Sequence, residues 1–289
     1  MRKKTPVAVI IFAFAFARFS QTVPVNAQHS ASWRLGKSSS PPLVLSANRQ
    51  QKDNFIEPSR PTVSEPADIQ RVGVLQLEFG LDAEFDAKEF RNQQTTPLEL
   101  RFAALSRLLL DFQLEAVKSQ VDRTGRRMTG VGDAIVGLQV VAFKKTGYPT
   151  FAFAYHSKLP TASKEKELGN GRVDHKAVLL ISHQLGGLNL NINAAHLNVA
   201  RKDSGRRADG GLLSIALSHR FENQFGLYGE LAGQSLEYSL PRGVYPLGGV
   251  TYWVNPRLRF DAGLRFGIGA EAPRVSVVAG FVFGIADLY

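Results

Sequence analysis

The sequence predicts an all-β fold: an antiparallel transmembrane β-barrel of about 12 strands with short periplasmic turns and longer extracellular loops. Three observations carry this. From residue 72 onward the chain alternates apolar and polar residues with period two, the signature of strands exposed to different media on their two faces. The apolar face is Leu, Phe and Val throughout, while the other is Gly, Ala, Ser, Asn and charges of both signs, which suits a lipid-facing exterior and a polar interior. The connections between the alternating runs are short and long in turn.

The chain has 289 residues, 21% of them charged and 44% hydrophobic, with no cysteine. Disulfides, thiolate chemistry and cysteine-based zinc sites are therefore excluded. The formal net charge is +10, and Arg2, Lys3, Lys4 and Arg18 lie in a stretch of 27 residues without an acid, so the remainder carries +6. Arg2 to Lys4 form a positive n-region, Pro6 to Ala17 an apolar core, and Val25-Asn26-Ala27 a small-residue cleavage site. Residues 1–27 thus read as a cleaved secretory signal. The competing reading, a membrane anchor, needs about 20 apolar residues, and Arg18 interrupts this run. Residues 28–70 are polar and carry Pro41, Pro42, Pro58, Pro61 and Pro66, which predicts a mostly disordered periplasmic arm. Leu43-Val44-Leu45 is its one apolar patch, a docking peptide or a stray turn.

The barrel, 71–289, is built run by run. In 75–85, Leu75, Leu77, Phe79 and Leu81 face away from Gln76, Glu78, Asp82 and Glu84. Runs 98–104 and 108–116 place Glu99, Arg101, Asp111 and Glu115 on their polar faces. Run 134–140 follows Asp133, and 151–158 sets Phe151, Phe153 and Tyr155 against Ala152, Ala154, His156 and Lys158. In 177–181 the apolar Val178 and Leu180 blur the pattern, whereas 188–194 opposes Asn189, Asn191 and Asn193 to Leu188, Leu190 and Ile192. Runs 213–218 and 225–231 follow, the latter with Tyr228 and Glu230 on its polar face. Run 247–254 is ambiguous in parity, 258–268 carries Arg259, Asp261 and Arg265, and 275–283 closes the series. The long connections are 86–96, 118–131, 158–175, 198–210 and 233–246; only the last hairpin has a short outer loop, at 269–273. An even strand count puts both termini in the periplasm.

The polar parity holds nine acids (Glu78, Asp82, Glu84, Glu99, Asp111, Glu115, Asp133, Glu230, Asp261) and four bases (Arg101, Lys158, Arg259, Arg265), a sum of −5. With His156, Asn189, Asn191, Asn193 and Tyr228, these are the candidate lumen-lining residues. An acidic lumen favours cations or neutral solutes over anions, unless acids and bases pair across it and fill it. The loops 118–131 and 198–210 sum to +3 and +2. Their arginines suit lipopolysaccharide phosphates, or the loops are simply solvated.

Further along, short motifs occur in a shared order. Gly130-Val131-Gly132-Asp133 precedes the strand AIVGLQVVAF. PTFAFAYHSKLP, GNGRVD, LNLNINAAHL, NPRLRFDAGLRF and Gly280-Phe281-Val282-Phe283 come after it. Over 130–283 this series resembles the outer-membrane proteins named for the MetA pathway of phenol degradation. The resemblance implies an outer-membrane barrel that moves small, often hydrophobic or aromatic compounds. It also implies that Gly130, Gly132 and Asp133 form a motif, for which the residues suggest a positive-φ approach and an Asp bonding nearby backbone N–H groups. Family members often close on a strand-terminal Phe. Here Phe283 is followed by six residues, leaving Phe281, Phe283 or Tyr289 as the candidate assembly signal.

The residues point away from an enzyme. His156 and Ser157 are strand neighbours and face opposite sides, so they do not pair directly. Asp111 and Glu115 share a face, as carboxylates do in any polar lumen. The six histidines lack metal spacing, and no phosphate or dinucleotide fingerprint occurs, so no cofactor is expected. Nucleic-acid binding is not expected either, since no stacking platform accompanies the basic loops. The expected partners are membrane lipids, lipopolysaccharide, the barrel-assembly machinery and a small-molecule solute. The expected function is a channel or transporter of the bacterial outer membrane. A structural or adhesive barrel without an open pore is the alternative, and a lipid-acting barrel enzyme comes third.

Overall fold

The computed structural model describes residues 54–289, except 202, 203, 205 and 223. The expected signal segment, Leu43-Val44-Leu45 and part of the 198–210 loop lie outside the described residues.

Alternation is converted directly into strands. The first three are β1 (Val74–Phe85), β2 (Phe90–Leu105) and β3 (Leu108–Asp122), followed by a four-residue β4 (Arg127–Gly130). The next five are β5 (Ala134–Phe143), β6 (Thr150–Leu159), β7 (Asp174–Leu185), β8 (Leu188–Ala200) and β9 (Arg207–Arg220). The series ends with β10 (Phe225–Gln234), β11 (Gly243–Asn255), β12 (Leu258–Phe266) and β13 (Val275–Asp287). Sequential strands pair antiparallel, and β1 pairs with both β2 and β13, so the sheet closes on itself. Twelve strands form the wall; β4 is an extra piece that pairs only with the top of β3. Closure removes the free edges that an open sheet would expose.

The two faces are inverted relative to a soluble protein. Leu81, Phe112, Leu138, Phe153, Leu213, Leu231, Phe260 and Leu264 are exposed on the outside. Glu78, Arg101, Asp111, His156, Asn193, Glu230, Asp261 and Arg265 are buried inside. A wall that exposes its hydrocarbon and buries its charges is stable only where the outer medium is lipid.

Several expected long loops are longer strands instead. β2 begins at Phe90, leaving only 86–89 as the first connection, and β3 runs on to Asp122. The polar run Asn92 to Thr96 hides this extension, because both of its faces are hydrophilic. Pro97, which has no N–H for the ladder, sits at a register shift within β2. The last hairpin is not the shortest at that end: its connection spans 267–274. Short turns at 106–107, 186–187 and 256–257 mark the opposite end.

Structure also starts earlier than residue 71. Of the expected arm, 54–70 is hydrogen-bonded to the inner wall, as described next.

Candidate functional site

Residues 54–73 form a strap that enters the barrel at the short-turn end, runs round the inside and returns to the same end. At that end the Arg71 amide donates to the Asn54 carbonyl at 2.9 Å. Phe55 sits there beneath the guanidinium groups of Arg71 and Arg257. The strap has no regular secondary structure. Its backbone groups are satisfied by side chains of the wall, as buried polar groups must be.

The circuit begins on β1 and β2. The Glu57 amide donates to Gln76, and Gln76 donates back to the Glu57 carbonyl. The amides of Ser59 and Arg60 donate to the two oxygens of Glu78 at 2.9 and 2.8 Å, and the Ser59 hydroxyl donates to Glu99. Arg101 lies 3.6 Å from both Glu78 and Glu99 and also donates to the Glu57 carbonyl. Arg60 then reaches β12 and β13, 3.4 Å from Asp261 and donating to the Ala279 carbonyl. Its guanidinium lies over Gly80 and Gly280, which are cross-strand partners; a side chain at either would occupy its place. Arg259 and Arg265 donate to the carbonyls of Arg60 and Pro61.

On the far wall, Glu230 accepts the amides of Val63 and Ser64 at 2.9 and 2.6 Å. The Glu65 amide donates to the Asn193 side-chain oxygen and the Asn193 side-chain amide donates back to the Glu65 carbonyl, while the Glu65 carboxylate meets Lys176 at 2.7 Å and His156 at 3.3 Å. Burial works against the Glu65 charge, yet Lys176 and His156 hold its carboxyl well below the ordinary carboxylate range. Ser182 accepts the Ala67 amide, Gln139 donates to the carbonyls of Pro66 and Ala67, and Asp68 meets Thr150 and Lys144. Gln70 finally donates to the Arg101 carbonyl, completing the ring.

Above the strap, toward the long connections, lies a cavity of about 670 Å³. Strap residues Ser59 to Val63 and Glu65 line its floor, and residues from all six connections at that end line its rim. The 235–242 connection folds inward, burying Tyr238 and Leu240, and Lys158 donates to the Tyr238 carbonyl.

Most of the candidate residues come together around strap and cavity. Glu78, Glu99, Arg101, Glu230, Arg259, Asp261, Arg265, His156 and Asn193 contact the strap or its partners. Asp111 sits 3.5 Å from His156, and Lys158 pairs with Asp174 at 2.9 Å. Glu115 pairs with Lys118 beside the cavity. Tyr228 is buried over Gly249 and Gly263, where its ring replaces missing side chains. The asparagine row is uneven: Asn193 holds the strap, Asn191 accepts from Ser182, and Asn189 is exposed at a short turn.

Asp133 accepts the Ala162 amide at 3.1 Å, tying the β4–β5 junction to the 160–173 connection. Gly130 and Gly132 do not adopt positive φ. They are small for another reason: Gly132 abuts the Glu115 side chain and Gly130 abuts Leu168. At the C-terminus β13 continues past Phe283 to Asp287. Phe281 packs against Phe79 and Phe260, Phe283 is outward, and the Tyr289 hydroxyl donates to the Ala104 carbonyl.

Sequence reasoning missed the strap residues Ser59, Arg60 and Glu65, and the wall residues Gln139, Asp174, Lys176, Ser182 and Ser214. The −5 sum for the lumen omitted the bases Arg60, Lys118 and Lys176 and the acids Glu65 and Asp174, all of them ion-paired. Parity alone flags Lys176 and Asp174, which share the polar face of β7 with Ser182.

A closed barrel with a hydrocarbon exterior and a charged, hydrogen-bonded interior defines an outer-membrane protein. Within that class, the chain belongs to the family described as "Putative MetA-pathway of phenol degradation", whose model matches residues 59–284. The match begins inside the strap. An outer membrane channel from Pseudomonas putida F1 is similar in structure, with a TM-score of 0.56 and 10% identity. That likeness covers 79% of this chain and 99% of the channel. The KdgM porin scores 0.48 at 9% identity, covering 73% and 99%. The Pseudomonas putida toluene transporter TodX scores 0.45 at 10% identity, covering 74% and 90%. No curated sequence is similar enough to count as a match.

Proposed function

We propose that this protein is an outer-membrane channel for small molecules whose lumen is narrowed at the periplasmic end by its own N-terminal strap. The observation that carries the reading is the cavity: a space of about 670 Å³, lined by charged, polar and apolar side chains, inside a lipid-facing wall. A barrel serving only as a scaffold has no need to keep such a space. Twelve strands lie between the eight whose interior side chains fill and the sixteen that leave an aqueous channel, and here the strap takes part of the room. The family description supports aromatic compounds as the first solutes to try. The chain reaches the membrane through a cleaved signal in 1–27 and the barrel-assembly machinery, with Phe281, Phe283 or Tyr289 in the assembly signal. Its basic outer loops meet lipopolysaccharide phosphates, and the candidate lumen residues line the solute's path.

The test is conductance. The full chain, expressed into an outer membrane and shown to be heat-modifiable on a gel, is taken into a planar bilayer beside a variant lacking residues 56–68. Small, cation-favouring steps for the full chain, rising several-fold in the variant, support the channel. Silence from both barrels, each folded, would replace the channel with a structural or adhesive barrel working through its loops.

A further inference from the structure

The cavity above the strap has two unlike sides. One is rich in carboxylates and amides: Glu84 on β1, Glu99 on β2, Glu115 on β3, with Gln93 and Gln113 between them. The other carries apolar groups, Val199 on β8, Leu212 on β9, and Leu236 and Tyr238 from the inward-folded connection, with the ammonium groups of Lys158 and Lys176 5.2 and 5.7 Å from the Tyr238 ring centre. Among the charged side chains around it, carboxylates number eleven and bases six. Four of those bases are paired, Arg60 with Asp261, Lys118 with Glu115, Lys158 with Asp174 and Lys176 with Glu65, while Arg265 donates to the Pro61 carbonyl and has no carboxylate within 4 Å among the described residues.

Among the described acids of the lining, Glu84, Asp133 and Glu167 have no ion pair, and Glu84 is the most buried of the three. It is 5% exposed and accepts one hydrogen bond, from the neutral Gln93 amide at 3.0 Å. Among the described residues it has no ion-pair partner within 4 Å. A carboxylate withdrawn from water without a cation is costly. Here it borders a cavity with room for one. Opposite, the Tyr238 hydroxyl is also buried, with no hydrogen-bond partner. A concave space with one largely apolar side and a few unspent polar groups is the ordinary form of a small-molecule site, and its volume lies within the usual range of about 300–1,000 Å³.

We infer that this cavity is a binding site for small organic cations, with an ammonium group on Glu84 and an apolar ring or chain against Leu212, Leu236 and Tyr238. Charge without an apolar body leaves the second side empty. An apolar body without charge leaves Glu84 as it is. An anion meets the excess of carboxylates. The inference rests on the proposed function only in placing the site on a solute path, since binding itself does not require conduction.

The experiment is calorimetry on the purified full-length barrel in detergent with four probes: benzylamine, benzyl alcohol, benzoate and methylammonium. Benzylamine is expected to bind at least about tenfold more tightly than benzyl alcohol or methylammonium, as one charge-assisted hydrogen bond supplies. Benzoate is expected to give no heat. Glu84→Gln keeps shape and volume, and a heat-modifiable band checks that it folds. This variant should lose about tenfold for benzylamine and nothing for benzyl alcohol. Leu212→Asn should weaken benzylamine while leaving methylammonium unchanged. Equal binding of benzylamine and benzyl alcohol, or an unaffected Glu84→Gln, would overturn the cation site. Absence of binding by every probe would overturn the site altogether, even if the barrel conducts. Binding by a barrel that never conducts would keep the site and remove the channel.

Discussion

The lumen has two walls of different character. On β1, β2, β12 and β13 the inward residues include Gln76, Glu78, Glu84, Glu99, Arg101, Arg259, Asp261, Arg265 and Ser276, all buried or nearly so, beside the apolar Val74, Ala103, Val278 and Val282. On β6 to β9 they are chiefly Ala152, Ala154, Val178, Leu180, Ala195, Leu197, Val199 and Leu212, which form one apolar cluster. The strap joins that cluster through Ala67, Ile69 and Val63. Its contacts with the first wall are ion pairs and backbone hydrogen bonds to carboxylates. On the second, a few polar residues (His156, Lys176, Ser182, Asn193) fix its position within an apolar surround. One wall sets where the strap lies by direction, the other holds it by area.

The largest effect should come from the charged wall. Arg101→Leu leaves Glu78 and Glu99 buried without their shared cation, and is expected to cost about 3–5 kcal/mol in urea unfolding of the barrel in detergent. A loss under about 1 kcal/mol would mean that water reaches this wall and that the contrast is false. On the apolar wall, Leu180→Ala should cost about 2–3 kcal/mol in the same measurement, with the strap still protected from protease. If the strap were released instead, area would be directing it as well as holding it.

Acid sharpens the contrast at Glu65, a strap residue that carries charge into the apolar wall. The Glu65 carboxyl is held below its unfolded value of 4.5. Its contribution to docking is therefore complete above that pH and is lost as pH falls through the lowered value. Hydrogen exchange at the amides of Val63 to Ala67 should speed up below pH 4.5, while Glu65→Gln should exchange fast at neutral pH and respond less to acid. Equal acid sensitivity in the variant would place the control elsewhere. The smallest effect belongs outside the lumen: Arg242 meets Glu271 at 3.3 Å on the exposed rim, and Arg242→Ala should change stability by less than about 0.5 kcal/mol.

How much of this was legible in the sequence follows from the same contrast. Strands announce themselves when their two faces meet different media, so β1, β3, β10 and β12 were plain. β7 was blurred because Val178 and Leu180 face inward against an apolar surround, giving it hydrocarbon on both sides. The top of β2 was hidden for the opposite reason, Asn92 to Thr96 being polar on both sides. β4 is too short to show a period. Most of the candidate lumen residues followed from parity alone, and Glu78, Glu99, Glu230 and Asp261 prove to be strap or strap-linked contacts. The strap itself was illegible. It has no period, because successive residues answer to different strands, and Pro58, Pro61 and Pro66 resemble those of an unstructured arm. What distinguishes it lies in the wall: carboxylates at Glu78 and Glu230 placed to receive pairs of adjacent backbone amides.

Asn54 and Arg71 are hydrogen-bonded at one mouth of the barrel, so the segment between them goes in and comes out by the same opening. It is a bight of rope laid into a cylinder, not a rope threaded through it. Such a loop can be set in place after the cylinder has closed, and drawn out again, without any chain end passing through the wall.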